Sequence, residues 1–165
     1  MYITTPARRP KNPRIKPIQE KSCGIILFRE EASTSEDTHT NSKSTHYYLV
    51  LHYPGGHWDF AKGHVEANEN EEMTALREMR EETGIFKVTF MKNFRVAMDY
   101  FYRRDRRLYH KDVIYFLGKT SEQKVKLSHE HQGYAWLTYA DAMKQLTFEN
   151  AKSLLKKAEK FLVEK

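Results

Sequence analysis

Apolar residues gather in short runs broken by polar stretches, and the period of each run predicts an element. Cys23–Phe28 (CGIILF) is apolar without alternation, which predicts a short strand buried on both faces. His46–His52 (HYYLVLH) has an apolar centre and polar ends and reads as its partner strand, followed by a turn at Tyr53-Pro54-Gly55-Gly56. Residues 86–101 alternate imperfectly and predict one or two strands; Tyr102–Lys111 is a basic turn with interleaved tyrosines; Asp112–Lys119 is a further strand. Val125–Glu130 and Tyr134–Leu137 are short strand candidates around the loop SHEHQ. Tyr139–Leu146 and Phe148–Val163 have helical spacing, and in the second Phe148, Ala151, Leu154 or Leu155, Ala158 and Leu162 form a stripe that reads as core packing. Residues 1–21, rich in Pro, Arg and Lys with no apolar period, predict a disordered or loosely docked basic arm, leaving 22–165 as the folded domain. Residues 30–45 are polar and low in complexity, a mobile insertion between two strands.

Composition narrows the picture. A chain of 165 residues fits one domain with a real core. The single cysteine, Cys23, excludes an internal disulfide and a thiolate metal site, and its apolar surroundings predict a buried thiol. No apolar stretch is long enough to span a bilayer and no signal-peptide core opens the chain, so a cytoplasmic protein, acting as a monomer and without a membrane partner, is expected. The net charge of +6 suits a polyanionic ligand, either a phosphate-rich small molecule or RNA, and does not separate the two.

The chemistry concentrates in residues 63–85, GHVEANENEEMTALREMREETGI. The spacing predicts a helix that begins after a turn at Gly63-His64 and stops at Gly84, a residue suited to a left-handed cap. Glu78, Glu81 and Glu82 stand at i, i+3 and i+4 and share one face, while Met73 and Leu76 lie opposite and are expected to face a core. Like charges on neighbouring turns repel, which a cation would relieve; hard oxygen donors without cysteine point to Mg²⁺, or Mn²⁺, rather than zinc. The alternative is a solvated acidic face, but the spacing argues against it. Gly63, Glu69, the Arg77-Glu78 pair, the Glu81-Glu82 pair and Gly84, with apolar Met79 and Ile85, fill every fixed position of the Nudix box.

The chain thus resembles the Nudix hydrolases. That resemblance implies an α/β fold (α+β in its segregation), an α/β/α sandwich with a mixed central sheet and a loop–helix–loop box. It implies metal ligands at Glu78, Glu81 and Glu82, a backbone carbonyl from Gly63, and Arg77 orienting Glu78. Outside the box, CGIILF, HW…KGHVE, FRVAMDY, VIYFL and LSHEHQGYAWL resemble the asymmetrical diadenosine tetraphosphate hydrolases. From that likeness Glu130 is expected near the metals, with Glu81 or Glu130 taking the proton from water. His57, Lys62 and Lys111 are expected on phosphate, with Arg103 or Arg104 as an addition. Tyr100 and Tyr134 are expected to stack an adenine, and Tyr53 to touch substrate. The implied reaction is cleavage of a dinucleoside polyphosphate, diadenosine tetraphosphate giving ATP and AMP. The rival readings are an RNA 5′-pyrophosphohydrolase or decapping enzyme, a diphosphoinositol phosphate phosphatase, and a catalytically dead nucleotide-binding module. Phe60-Ala61 stand where many relatives carry prolines, and the arm and insertion have no counterpart.

Overall fold

A strand buried on both faces must lie in the middle of a sheet, and the computed structural model, which describes residues 16–32 and 44–164, puts it there. Strand β1 (Ile18–Glu31) runs parallel to β6 (Arg107–Lys119), from Ile18 opposite Tyr109 to Phe28 opposite Lys119. Its other edge is shared by two antiparallel strands, β2 (Thr45–His52) at one end and β4 (Ala61–His64) at the other. Strands β3 (Trp58–Asp59) and β7 (Gly133–Thr138) pair with β2, and β5 (Thr89–Arg104) closes the sheet beyond β6.

Alternation along β1 divides the core. Cys23, Ile25 and Leu27 pack with Leu49, Leu51, Met79 and Ile85 beneath helix α1 (Glu71–Thr83). Ile26 and Phe28 pack with Tyr48, Val50, Tyr115, Leu154 and Leu155 beneath α2 (Tyr139–Gln145) and α3 (Glu149–Val163). The result is the α/β/α sandwich around a mixed sheet that the box resemblance implies. Among the described residues no helix is long and apolar enough to cross a membrane.

The structure departs from the sequence reading in several places. Ile18–Lys21 belong to β1 rather than to an arm, because backbone pairing with β6 holds polar side chains that carry no apolar pattern; residues 1–15 lie outside the described residues. Glu30, Glu31 and Thr45 are likewise paired strand residues, and 33–43, the body of the expected insertion, lie outside the described residues. Residues 102–111 are not a long turn. Tyr102 pairs with Tyr109 and Arg104 with Arg107, leaving only Asp105 and Arg106 to turn the chain, at φ 50° and 64°. A two-residue hairpin loop needs that left-handed backbone to match the twist of its strands. Residues 125–130 form no strand. Gly63-His64 open no helix, since they pair with Cys23 and Ser22 in β1. The helix starts later, where the Asn70 side chain accepts from the Met73 N–H at 2.8 Å, and stops at Gly84, φ 70°. Met73 is exposed, because Ala75, Met79 and Glu82 set the phase of the buried face; Leu76 is half-buried.

Candidate active site

Helix α1 buries an unusual face, in which a carboxylate, Glu82, follows Ala75 and Met79 into the contact with β1 and β4. Burying Met79 contributes about 2 kcal/mol, which offsets part of the cost of taking Glu82 out of water. The Lys62 backbone N–H donates to Glu82 Oε2 at 3.1 Å, and Glu82 Oε1 stands 3.6 Å from Nε2 of the buried His131. Burial, reinforced by the nearby charges of Glu78 and Glu130 and only partly opposed by Lys62, pushes the Glu82 carboxyl up to about 8. Glu78 is also raised, by burial first, with Glu81 and Glu130 adding to it against Arg77.

Arg77 holds the box together. Its Nε donates to Glu69 at 2.6 Å, its Nη1 to Glu78 at 2.8 Å and to Glu81 at 3.1 Å, and its Nη2 to the His64 carbonyl at 2.8 Å. Glu69, bound also by the Thr74 hydroxyl, is drawn down to about 2 by the Arg77 hydrogen bonds. The guanidinium therefore ties the helix to the end of β4 and bonds the Glu78 carboxylate. Gly63 sits where the Glu78 carboxylate needs its space: a Cβ there would lie 2.0 Å from that carboxylate. Gly63→Ala should accordingly cost about 1–3 kcal/mol, read as a lower melting temperature.

These donors suit a hard divalent cation. Glu78 and Glu82 both feel the charge of Glu130, and Gly63 belongs to the same wall. Among the described residues no three acidic or imidazole side chains converge on one point, since Arg77 draws Glu78 and Glu81 to itself.

The wall opens into a cavity of about 1010 Å³, at the upper end of ligand-site volumes. Gly63, Glu78, Glu82 and Glu130 line one part of it, and Tyr53, His57, Lys62, Tyr100 and Lys111 line the rest. Lys62 Nζ bonds Asp59 at 2.7 Å and lies 4.8 Å over the Tyr53 ring. Burial works to strip its proton, but the Asp59 carboxylate overrides this and holds Lys62 well above its ordinary value. Lys111, with burial and then the Lys62 charge acting on it, is pushed down to about 8. The Tyr53 ring stacks on His57 at 4.8 Å and meets His131 edge-on at 4.5 Å, while its hydroxyl donates to the Phe60 carbonyl.

Three expected residues stand elsewhere. Glu81 is largely exposed, bonded to Arg77 and away from the cavity wall. Arg103 points to solvent, on the strand face opposite Tyr100. Tyr134 pairs with Leu51 and so shares the α1 face of the sheet, whereas Tyr100 packs on the α3 face. Of the two tyrosines only Tyr100 lines the cavity. Phe148 faces the cavity instead, 5.3 Å from His57, just ahead of α3 at an N-cap position without a capping hydrogen bond. Its helical spacing made it read as core. Asp59 and His131 were also missed: each acts through tertiary contacts, and only the proximity of His131 to Glu130 in SHEHQ was a signal.

The bis(5′-nucleosyl)-tetraphosphatase [asymmetrical] of Mus musculus is 37% identical over 148 residues, covering 86% of this chain and 95% of the relative. The protein of the same description from Caenorhabditis elegans is 33% identical over 145 residues, covering 86% and 96%. A crystal structure of a C. elegans Ap4A hydrolase binary complex superposes with a TM-score of 0.73 at 31% identity, over 88% of this chain and 99% of that one. The E. coli dihydroneopterin triphosphate pyrophosphohydrolase, 18% identical, shares the fold with a TM-score of 0.59, over 85% of this chain and 96% of its own. The model of the NUDIX domain matches residues 25–157, and the chain belongs to the Nudix family.

Proposed function

We propose that the chain hydrolyses dinucleoside polyphosphates, splitting diadenosine tetraphosphate into ATP and AMP. One observation carries the reading: a single cavity joins aromatic walls, Tyr100 and Phe148, through the cations Lys62 and Lys111 to the carboxylates Glu78, Glu82 and Glu130. Such a lining would suit a base, a run of phosphates and a hydrolytic centre in one space. The similarity to tetraphosphatases over most of the chain supports the substrate class.

Held by Glu78, Glu82, Glu130 and the Gly63 carbonyl, with Glu81 at the margin, Mg²⁺ or Mn²⁺ would neutralise phosphate charge and acidify the attacking water. The chain's own side chains do the rest. Lys62, fixed by Asp59, presents a permanent charge to the phosphates. Lys111, pushed down to about 8 by burial and the Lys62 charge, is charged at neutral pH and loses its proton as pH rises through that value, so substrate binding should weaken above it. The Glu130 carboxylate, which makes no hydrogen bond or ion pair among the described residues, accepts the proton as water attacks the phosphorus of the departing AMP and the bond to ATP breaks. The buried free thiol of Cys23 suits a reducing cytoplasm.

Product analysis in ¹⁸O-labelled water tests the reading. ATP and AMP are expected, with label in AMP alone. Two molecules of ADP, or no turnover of the dinucleotide, would overturn it.

A further inference from the structure

The tip of the β5–β6 hairpin keeps three features that each work against folding. Arg106 occupies a left-handed backbone position, φ 64°, where glycine or asparagine fits at little cost. Arg104 and Arg107 stand directly opposite one another, a like-charge cross-strand pair. Arg103, Arg106 and Arg107 are exposed and have no carboxylate partner among the described residues; Arg104 is 3.5 Å from Glu20 and lies over the Tyr109 ring at 4.5 Å. Strain and unrelieved charge retained together at one tip call for an anion from outside.

The tip is also aligned with the cavity. Along β6, Lys111, Tyr109 and Arg107 alternate onto one face, and Lys111 lines the cavity. Arg107 follows about 13 Å beyond Lys111 at 3.3 Å per residue. Because β1 runs parallel to β6, the chain enters it at this same end, directly after the exposed Lys16. A membrane surface would call for an apolar anchor among the cations, and residues 103–107 include none.

We propose that this arginine tip, on the strand face that carries Lys111, is a docking surface for the phosphodiester backbone of single-stranded RNA. The surface goes beyond the hydrolytic reading and does not depend on it. Contacts of this kind go to phosphate and tolerate sequence.

The test uses the full chain and a fluorescent single-stranded RNA of about a dozen nucleotides, followed by anisotropy across a salt series. The Arg106→Gly/Arg107→Gln double variant should bind at least tenfold more weakly at low salt. Its log K against log salt slope should be shallower by about 1.4, the release expected for two fewer phosphate contacts on a single strand. Its melting temperature should hold or rise, since glycine suits the turn, and turnover of a small dinucleotide should stay within twofold. Lys156→Gln/Lys157→Gln, which removes equal charge from exposed positions of α3, should leave RNA affinity unchanged. No RNA binding by the unaltered chain, equal affinity in the tip variant, or equal loss in the α3 variant would overturn the proposal. So would binding to phosphatidylserine vesicles without binding to RNA.

Discussion

Glu82→Gln should abolish most turnover, lowering kcat by about a thousandfold, equivalent to about 4 kcal/mol in barrier, while making the protein more stable at pH 8. Both effects come from one property of the site. Burial lifts the Glu82 carboxyl from 4.5 to about 8, so the folded chain binds a proton there that the unfolded chain releases. The stability contributed by that proton is fully present below pH 4.5 and is lost as pH rises through 8. Across this window the loss is on the order of a few kcal/mol for the unaltered protein without divalent cation. Glutamine keeps the acceptor for the Lys62 N–H, offers its amide to the unpartnered His131 Nε2, and carries no charge to desolvate. Thermal melts from pH 5 to 8 in chelator should therefore diverge, the variant holding its melting temperature and the unaltered chain falling. Added Mg²⁺ should raise the melting temperature of the unaltered chain most at pH 8 and leave the variant nearly unmoved. Parallel melts with full pH dependence in both proteins would show that Glu82 is not the strained group.

Phe148→Ala should raise KM for the dinucleotide about ten- to a hundredfold, the loss expected for one base–aromatic contact of roughly 1–3 kcal/mol, with a smaller fall in kcat. Tyr134→Ala should change KM by less than twofold. The contrast follows from the cavity lining: Tyr134 is half-exposed and lies outside it, whereas Phe148 and Tyr100 both line it. Phe148→Tyr keeps the ring and should bind normally, separating stacking from collapse of the start of α3. If Tyr134→Ala carried the larger loss, the base would rest against Tyr134, outside the lining of this cavity.

What the sequence made legible was whatever depends on local period. The two-faced apolar run of β1, the helix stop at Gly84 and the box spacing all follow from neighbours within a few residues. Tertiary facts escaped it. Met73 looks like part of a core stripe with Leu76, and Leu76 does pack against the core, but the docking of α1 on β4 turns Ala75, Met79 and Glu82 inward and leaves Met73 exposed. Tyr100 and Tyr134 each look like plausible partners for a base, but the face each takes is set by register with β6 and β2. The strand residues Ile18–Lys21 carry no apolar period, with Ile18 exposed and the other three polar, because hydrogen bonds to β6 hold them rather than buried side chains.

The parallel pairing of β1 with β6 also governs how the chain can be made. The central strand of the sheet is the first to be synthesised, and its long partner follows only after residue 107. Until then β1 has apolar side chains on both faces and an unpaired edge, and β2 and β4 can cover only the other edge. A nascent chain stalled before β6 would thus present an adhesive strand to its neighbours. Completion of this fold waits on a contact that spans most of the polypeptide, so its folding rate is set by the closure of that long loop rather than by α1 or the hairpin.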